Sequence, residues 1–249
     1  MSIATASASL SAPSASYNAN SCAASARQAT RVLIVDDHPV SRSGILTVIA
    51  SQPELTVCGE ADSVNSAISL TEELKPQLIV TELTLRQGSG IELVKNLTER
   101  HPGLRILVFS RQDERLFAER CLRAGAHGYL NKNASLTEFL DAIQTVMGDR
   151  ISLSEIMTCR LLSRSVRAAK GQTQVSPIEM LSNRELQVFE QLGRGISTRQ
   201  IAEQLLLSRK TVETYRENIK LKLNLRNASE LTQHAVKWVL EGCAATAMA

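Results

Sequence analysis

The sequence predicts an α/β fold, a doubly wound parallel five-stranded sheet, followed by a small all-α domain of four helices that contains a helix-turn-helix. Three observations carry this. Between Arg31 and Met147, short apolar runs rich in Val, Ile and Leu alternate five times with helical patterns, as βα units do. From Ser182 onward the strand signals stop, and capped amphipathic helical segments follow one another at short intervals. Between the two, the segment RAAKGQTQVS at 167–176 is polar and irregular and marks a domain boundary.

Composition bounds the answer first. With 249 residues and an apolar fraction of 43%, the chain can build two modest cores. Residues 1–30 are dominated by Ala and Ser, too poor in apolar periodicity to offset ordering entropy, and read as a disordered tail. No apolar run approaches the roughly 20 residues of a membrane span, and no export signal opens the chain, so the expected location is cytoplasmic, away from membranes. The five cysteines contain no CxxC pair and the four histidines show no ligand spacing, which argues against a structural zinc or a disulfide framework. Charge is divided: residues 31–147 carry 12 basic against 15 acidic side chains, residues 177–249 carry 10 against 8. An acidic first half and a basic second half suit a regulatory domain joined to an anion-binding one.

In the first domain, 31–147, strands are expected at Val32–Val35, Thr56–Glu60, Leu78–Thr81, Ile106–Phe109 and Gly128–Leu130. Helices are expected at Pro39–Ser51, Ser63–Leu74, Gly90–Arg100, Glu114–Arg123 and Ser135–Met147. GDRISLS then breaks the helix, and 148–176 forms a linker with a helix of its own at Glu155–Val166. The second domain, 177–241, opens with a Ser182/Glu185 capping box, continues with a Ser197/Gln200 box, then a helix capped by Ser208, and closes with a helix begun by Asn227 and Glu230. Residues 242–249 read as a tail.

In open parallel sheets, ligands sit at the carboxyl ends of the strands. There the sequence places Asp36 and Asp37 after the first strand, Glu82 after the third, Ser110 after the fourth and Lys132 after the fifth. Carboxylates with open positions suit Mg²⁺, and Asp36 and Asp37 are its candidate ligands; a Ser and a Lys beside them suit phosphoryl oxygens. Each of these residues alone is more often a cap or a solvated charge. Their joint placement favours a site.

These residues also carry a resemblance. VLIVDDHPVSRSGI, QLIVTELTLRQGSGIEL, RILVFS and AGAHGYLNK resemble the flavodoxin-like receiver domain of bacterial two-component response regulators, across all of 31–147. The resemblance implies that Asp36 and Asp37 are the acidic pair, Ser110 the phosphoryl-contacting hydroxyl, Tyr129 the aromatic switch residue and Lys132 the lysine that pairs with the phosphoryl group. It also exposes a departure: the phosphoacceptor position, an Asp in the family, is Glu82, and Arg86 stands where a proline is usual. One added methylene moves the carboxylate by about 1.5 Å, and neither Mg²⁺ coordination nor in-line transfer tolerates that well. Switching by aspartyl phosphorylation is therefore not expected. Either Glu82 reaches Ser110 and Lys132 and imitates a phosphorylated state, or the site is a relic and a partner or ligand does the switching.

In SRKTVETYRENIKLKL, 208–223, Val212, Tyr215 and Ile219 form an apolar stripe, while Lys210, Glu213, Thr214, Glu217 and Lys220 lie opposite. LSNRELQVFEQLGRGISTRQIAEQLLLSRKTVETYRENIKLKLNLRNASEL resembles the LuxR-type domain of the NarL/FixJ class of response regulators. By that resemblance Glu213, Thr214 and Glu217 face the groove of double-stranded DNA, and the closing helix carries a homodimer contact. Arg209, Lys210, Arg216 and Lys220 are the expected phosphate contacts. Pairing of the glutamates with Lys210 and Lys220 on the helix itself is the competing arrangement.

The expected function is that of a sequence-specific DNA-binding transcriptional regulator with an atypical receiver, not an enzyme, and with a sensor kinase or another regulatory protein as a further partner. The alternative is an adaptor that holds another regulator or a kinase through the receiver-like domain.

Overall fold

The computed structural model describes residues 29–85, 88–169 and 177–247. The Ala/Ser-rich tail up to residue 28, Arg86 and most of the 167–176 boundary lie outside the described residues. Strands β1 (Thr30–Val35), β2 (Leu55–Ala61), β3 (Leu78–Thr81), β4 (Arg105–Ser110) and β5 (Gly128–Asn131) form one parallel sheet in the order β2-β1-β3-β4-β5. Helices α1 (Pro39–Ala50), α2 (Val64–Leu74), α3 (Gly90–Arg100), α4 (Glu114–Arg123) and α5 (Leu136–Met147) connect them and close the domain. The strand order reverses between β1 and β3, so their carboxyl ends flank the crevice where such sheets hold ligands.

The two faces of the sheet explain the apolar runs. Along β1, Leu33 and Val35 pack with Leu93, Val94 and Leu97 of α3, while Val32 and Ile34 pack with Ile45 and Ile49 of α1 and with Phe139 and Ile143 of α5. Alternate residues thus enter opposite cores, and a strand buried on both sides needs apolar residues at every position. Each such side chain contributes roughly 1.5–3 kcal/mol by its removal from water.

The linker is bonded to the receiver-like domain rather than hanging from it. Ser152 accepts from the Tyr129 amide at 2.9 Å and donates to the His127 carbonyl at 3.0 Å, extending the sheet beyond β5 by one bridge. Glu114 then accepts from the Ser154 amide at 3.0 Å, and α6 (Glu155–Ala169) lies along α4 with Met157 buried.

In the second domain a 3₁₀ turn (Pro177–Met180), which periodicity did not reveal because a single turn shows no repeat, precedes α7 (Asn183–Gly193), α8 (Thr198–Gln204), α9 (Arg209–Leu223) and α10 (Ala228–Ala247). The capping boxes at Ser182/Glu185 and Ser197/Gln200 are both formed. Gly193 is required by close packing: a Cβ there would lie 2.5 Å from the Ala235 carbonyl oxygen of α10. One expectation is corrected. Residues from 242 are not a tail from the helix end onward, because α10 continues to Ala247 through an Ala-rich stretch of high helix propensity.

The domains share a core. The cluster on the α3 and α4 side of the sheet continues through Met157 and Ile178 to Leu186, Phe189, Ile201, Val212 and Ile219. Arg184 of α7 donates to the Gly88 carbonyl in the β3–α3 loop at 2.7 Å, beside the strand end that carries Glu82. No described helix is long and apolar enough to cross a membrane.

Candidate functional site

Four of the predicted residues converge at the carboxyl edge of the sheet. Glu82 directly follows β3, where its amide donates to the Val35 carbonyl at 2.9 Å, which places its side chain beside Asp36 at the end of β1. Gly90 allows this: a Cβ there would sit 2.5 Å from the Glu82 carbonyl oxygen. Lys132 is fixed from the other side, its amide donating to the Ser110 carbonyl at 2.9 Å.

The side chains form one network. Lys132 Nζ bridges two buried carboxylates, at 2.5 Å from Asp36 Oδ2 and 2.7 Å from Glu82 Oε2. Glu82 Oε1 accepts from the Ser110 hydroxyl and from the Leu83 and Thr84 amides, the last two at 2.6 and 3.3 Å. Asp36 accepts further from the His38 amide at 2.8 Å and the Ser41 hydroxyl at 2.6 Å. Burial alone would raise the Asp36 carboxyl; the Lys132 ammonium, Ser41 and the His38 amide together outweigh it and hold its pKa below the ordinary aspartate value. Both carboxylates are therefore fully engaged, with an ammonium group between them.

Tyr129 is fully buried and joins one step removed: its hydroxyl donates to the Gln112 carbonyl at 2.9 Å, and the Gln112 amide donates to Ser110 Oγ at 3.2 Å. Gln112 also donates through its side chain to Thr84 at 3.0 Å, tying the β3 and β4 loops together. Ser41, Thr84 and Gln112 were not singled out in the sequence, because nothing local marks a loop polar residue as a tie to another loop. Asp37 stays outside the network and accepts from the His38 ring at 2.8 Å.

Asp36, Asp37 and His38 offer ligand atoms within 4.8 Å of one another, so a divalent cation can be tested against the geometry. Mg²⁺ needs open carboxylate oxygens in near-octahedral array. Here each oxygen of Asp36 and Glu82 already holds a donor, and Lys132 supplies positive charge where the two carboxylates meet. That pairing takes up Asp36 and Glu82, whereas Asp37, which meets only the His38 ring among the described side chains, keeps an oxygen open to a cation.

The second site is α9. Ser208 caps it, accepting from the Thr211 amide at 3.0 Å, and the start of the helix presents Arg209 and Lys210 to solvent. Glu213, Thr214 and Glu217 are also exposed, while Val212 and Ile219 are buried. The Thr214 hydroxyl is tied back to the Lys210 carbonyl at 3.0 Å, leaving its methyl for apolar contact. Glu217 pairs with Lys220 at 2.8 Å, whereas Glu213 has no such partner among the described ion pairs. Arg216 leans away, donating to Thr198 of α8 at 2.5 Å. α8 and α9 thus make a helix-turn-helix whose second helix shows a mixed polar face.

Two family models match the chain: the response regulator receiver domain over residues 32–144, and the luxR family of bacterial regulatory proteins over residues 179–235. The response regulator GacA of Pseudomonas protegens is 34% identical over 207 residues, 83% of this chain and 95% of that protein. The chain belongs to the response regulators of the NarL/FixJ class. BvgA of Bordetella pertussis, described as a putative positive transcription regulator of virulence factors, is another such relative, 34% identical over 81% of this chain and 94% of its own. Among solved structures, RcsB of Salmonella enterica bound to the rprA promoter shares the fold, with a TM-score of 0.56, 23% identity, and 84% and 99% of the two chains covered. A LuxR-family response regulator from Aurantimonas aligns with a TM-score of 0.52 at 30% identity, covering 56% of this chain and 99% of that one.

Proposed function

We propose that this response regulator binds double-stranded DNA through α9 as a homodimer and controls transcription, with a receiver that works without aspartyl phosphorylation. The carrying observation is the Glu82 carboxylate: it already meets Ser110 and Lys132, the two groups that the family resemblance assigns to the phosphoryl oxygens. A carboxylate supplies a charge of −1 against roughly −2 for a phosphate, and it supplies it permanently. Tyr129, buried and tied to Gln112, supports the same reading.

DNA binding rests on the exposed Arg209, Lys210, Glu213 and Thr214 of a capped second helix in a helix-turn-helix. The relative RcsB, whose structures include two dimers bound to DNA, supports dimeric binding here.

The test is affinity for genome-selected DNA sites without a phosphodonor, comparing the native chain with Glu82→Ala. Loss of about tenfold or more, 1.4 kcal/mol, is the expected result and assigns Glu82 the role of holding the active arrangement. Equal binding moves regulation to a partner or ligand. Failure to select any site favours the adaptor.

A further inference from the structure

Away from both sites, a cavity of about 360 Å³ opens where α4, α6, the 3₁₀ turn and α10 meet, a size within the range of small-molecule sites. Five arginines line it: Arg115, Arg120 and Arg123 from α4, and Arg160 and Arg164 from α6. Only two carboxylates, Glu119 and Glu179, line it with them. Those two are spent on two of the arginines. Glu119 holds Arg123 at 2.6 Å and Arg164 at 2.8 Å, and Glu179 grips Arg164 with both oxygens at 2.8 and 2.6 Å.

The other three have different partners. Arg115 pairs with Asp113 at 2.5 Å and lies 5.5 Å from the centre of the Trp238 ring. Arg120 and Arg160 have neutral acceptors: Arg120 donates to Asn183 Oδ1 at 2.9 Å and the Glu179 carbonyl at 3.2 Å, Arg160 to the Arg115 carbonyl at 3.3 Å. Burial lowers the Arg120 pKa, and the Arg123 charge lowers it further against the pull of Glu179. Positive charge therefore accumulates in a partly dry space without its full complement of anions. Trp238 forms an aromatic wall beside it.

Guanidinium forks match phosphate oxygens in pairs, and an indole face packs against planar rings or spreads its quadrupole toward cations. We propose that this cavity binds a small phosphate-bearing molecule, with Arg120 and Arg160 on the phosphate oxygens and Trp238 along the rest of the ligand. Because α4 belongs to the receiver, α6 to the linker and α10 to the DNA-binding domain, the bound anion ties all three together. It supplies an input that needs no chemistry at Glu82.

Trp238 is the single tryptophan of the chain, so its emission reports this wall directly, with no DNA in the assay. The full-length protein is titrated at fixed ionic strength with inorganic pyrophosphate, with ADP, and with sulfate as the control anion. Saturable emission changes are expected with pyrophosphate and ADP, weakened about tenfold in Arg160→Gln. That side chain is exposed and makes one long hydrogen bond, so ligand-free melting should be unchanged; Arg120→Gln, which removes the other proposed phosphate contact, serves as the second variant. Tighter binding of ADP than of pyrophosphate assigns the Trp238 wall to a ring, and the reverse order assigns the site to free polyphosphate. No saturable change, equal affinity in native chain and both variants, or sulfate binding as well as pyrophosphate overturns the proposal.

Discussion

Lys132 Nζ stands 2.7 Å from Glu82 Oε2 and 2.5 Å from Asp36 Oδ2, so one part-buried ammonium group compensates the end of β1 and the end of β3 together. A net charge of −1 remains on the trio, shared with the Ser110 hydroxyl and two backbone amides. This is a closed network, and its response to substitution follows from which partner is left alone.

On the proposed reading, shortening the carboxylate gives the receiver a phosphoacceptor of ordinary length. Glu82→Asp is expected to become phosphorylated by acetyl phosphate in the presence of Mg²⁺, detected as a shifted band on phosphate-affinity electrophoresis. The native chain should show no shifted band under the same conditions. A native chain that shifts as readily as the variant would refute the phosphorylation-independent reading.

Among the described residues Lys132 is the one cation between the two buried carboxylates, and Lys132→Met removes it. Leaving such charges uncompensated typically costs about 3–5 kcal/mol, and that loss is the expected result in urea unfolding at pH 7. Part of it should return as the pH falls, because Asp36, no longer held down by the ammonium, takes up a proton more readily. Lowering the pH has the opposite effect on the native chain. Its depressed Asp36 contributes stability above the unfolded pKa, lost as pH falls through the lower folded value.

Glu190 of α7 is buried at the domain junction. Burial lifts its pKa to about 7, with the Arg194 guanidinium opposing the rise and the Asp113 carboxylate across the junction adding to it. The folded state thus binds a proton between about pH 4.5 and 7 that the unfolded state releases, and stability falls as pH rises through that window. Glu190→Gln should therefore stabilise the protein at pH 8, by at most about 3 kcal/mol, and do little at pH 4.5. Thermal melts at the two pH values decide it. A gain of equal size at both would mean that the proton is not involved.

On α9, Lys210→Ala should weaken all DNA sequences alike and reduce the slope of log affinity against log salt by about 1. Glu213→Ala should instead change the preferred sequence, since an exposed glutamate without an intrahelical partner can accept from a cytosine amine. Glu217 is held by Lys220, so its substitution should alter specificity less. Binding measured over a randomised operator library separates the three outcomes.

Much of this was legible in the residues alone, because local chemistry specifies it. Strands β1 to β4 declare themselves as runs containing β-branched residues, α7 and α8 by their capping boxes, α9 by Ser208, and the place of Asp36, Glu82, Ser110 and Lys132 at strand ends follows from the parallel topology. Which of two roles Glu82 plays was not legible. What the chain order hides is that its carboxylate meets Ser110, 28 residues away, and that Gly90 approaches the Glu82 carbonyl closely. The separation of Asp37 from the network, and the binding of the linker to the edge beyond β5, likewise depend on tertiary placement.

The domain junction was hidden altogether. Arg120 meets Asn183 across 63 positions, and Arg164 meets Glu119 across 45. The arginines recurring along α4 and α6 were the one hint, and at helical spacing such charges usually mean a solvated face. Sequence by itself determined the elements, their order and the chemistry available at each strand end, since these follow from periodicity, capping and turn residues within a few positions. Tertiary structure decided which charges are paired, which are buried and which remain in excess, because electrostatic compensation depends on distance and desolvation between residues far apart in the chain.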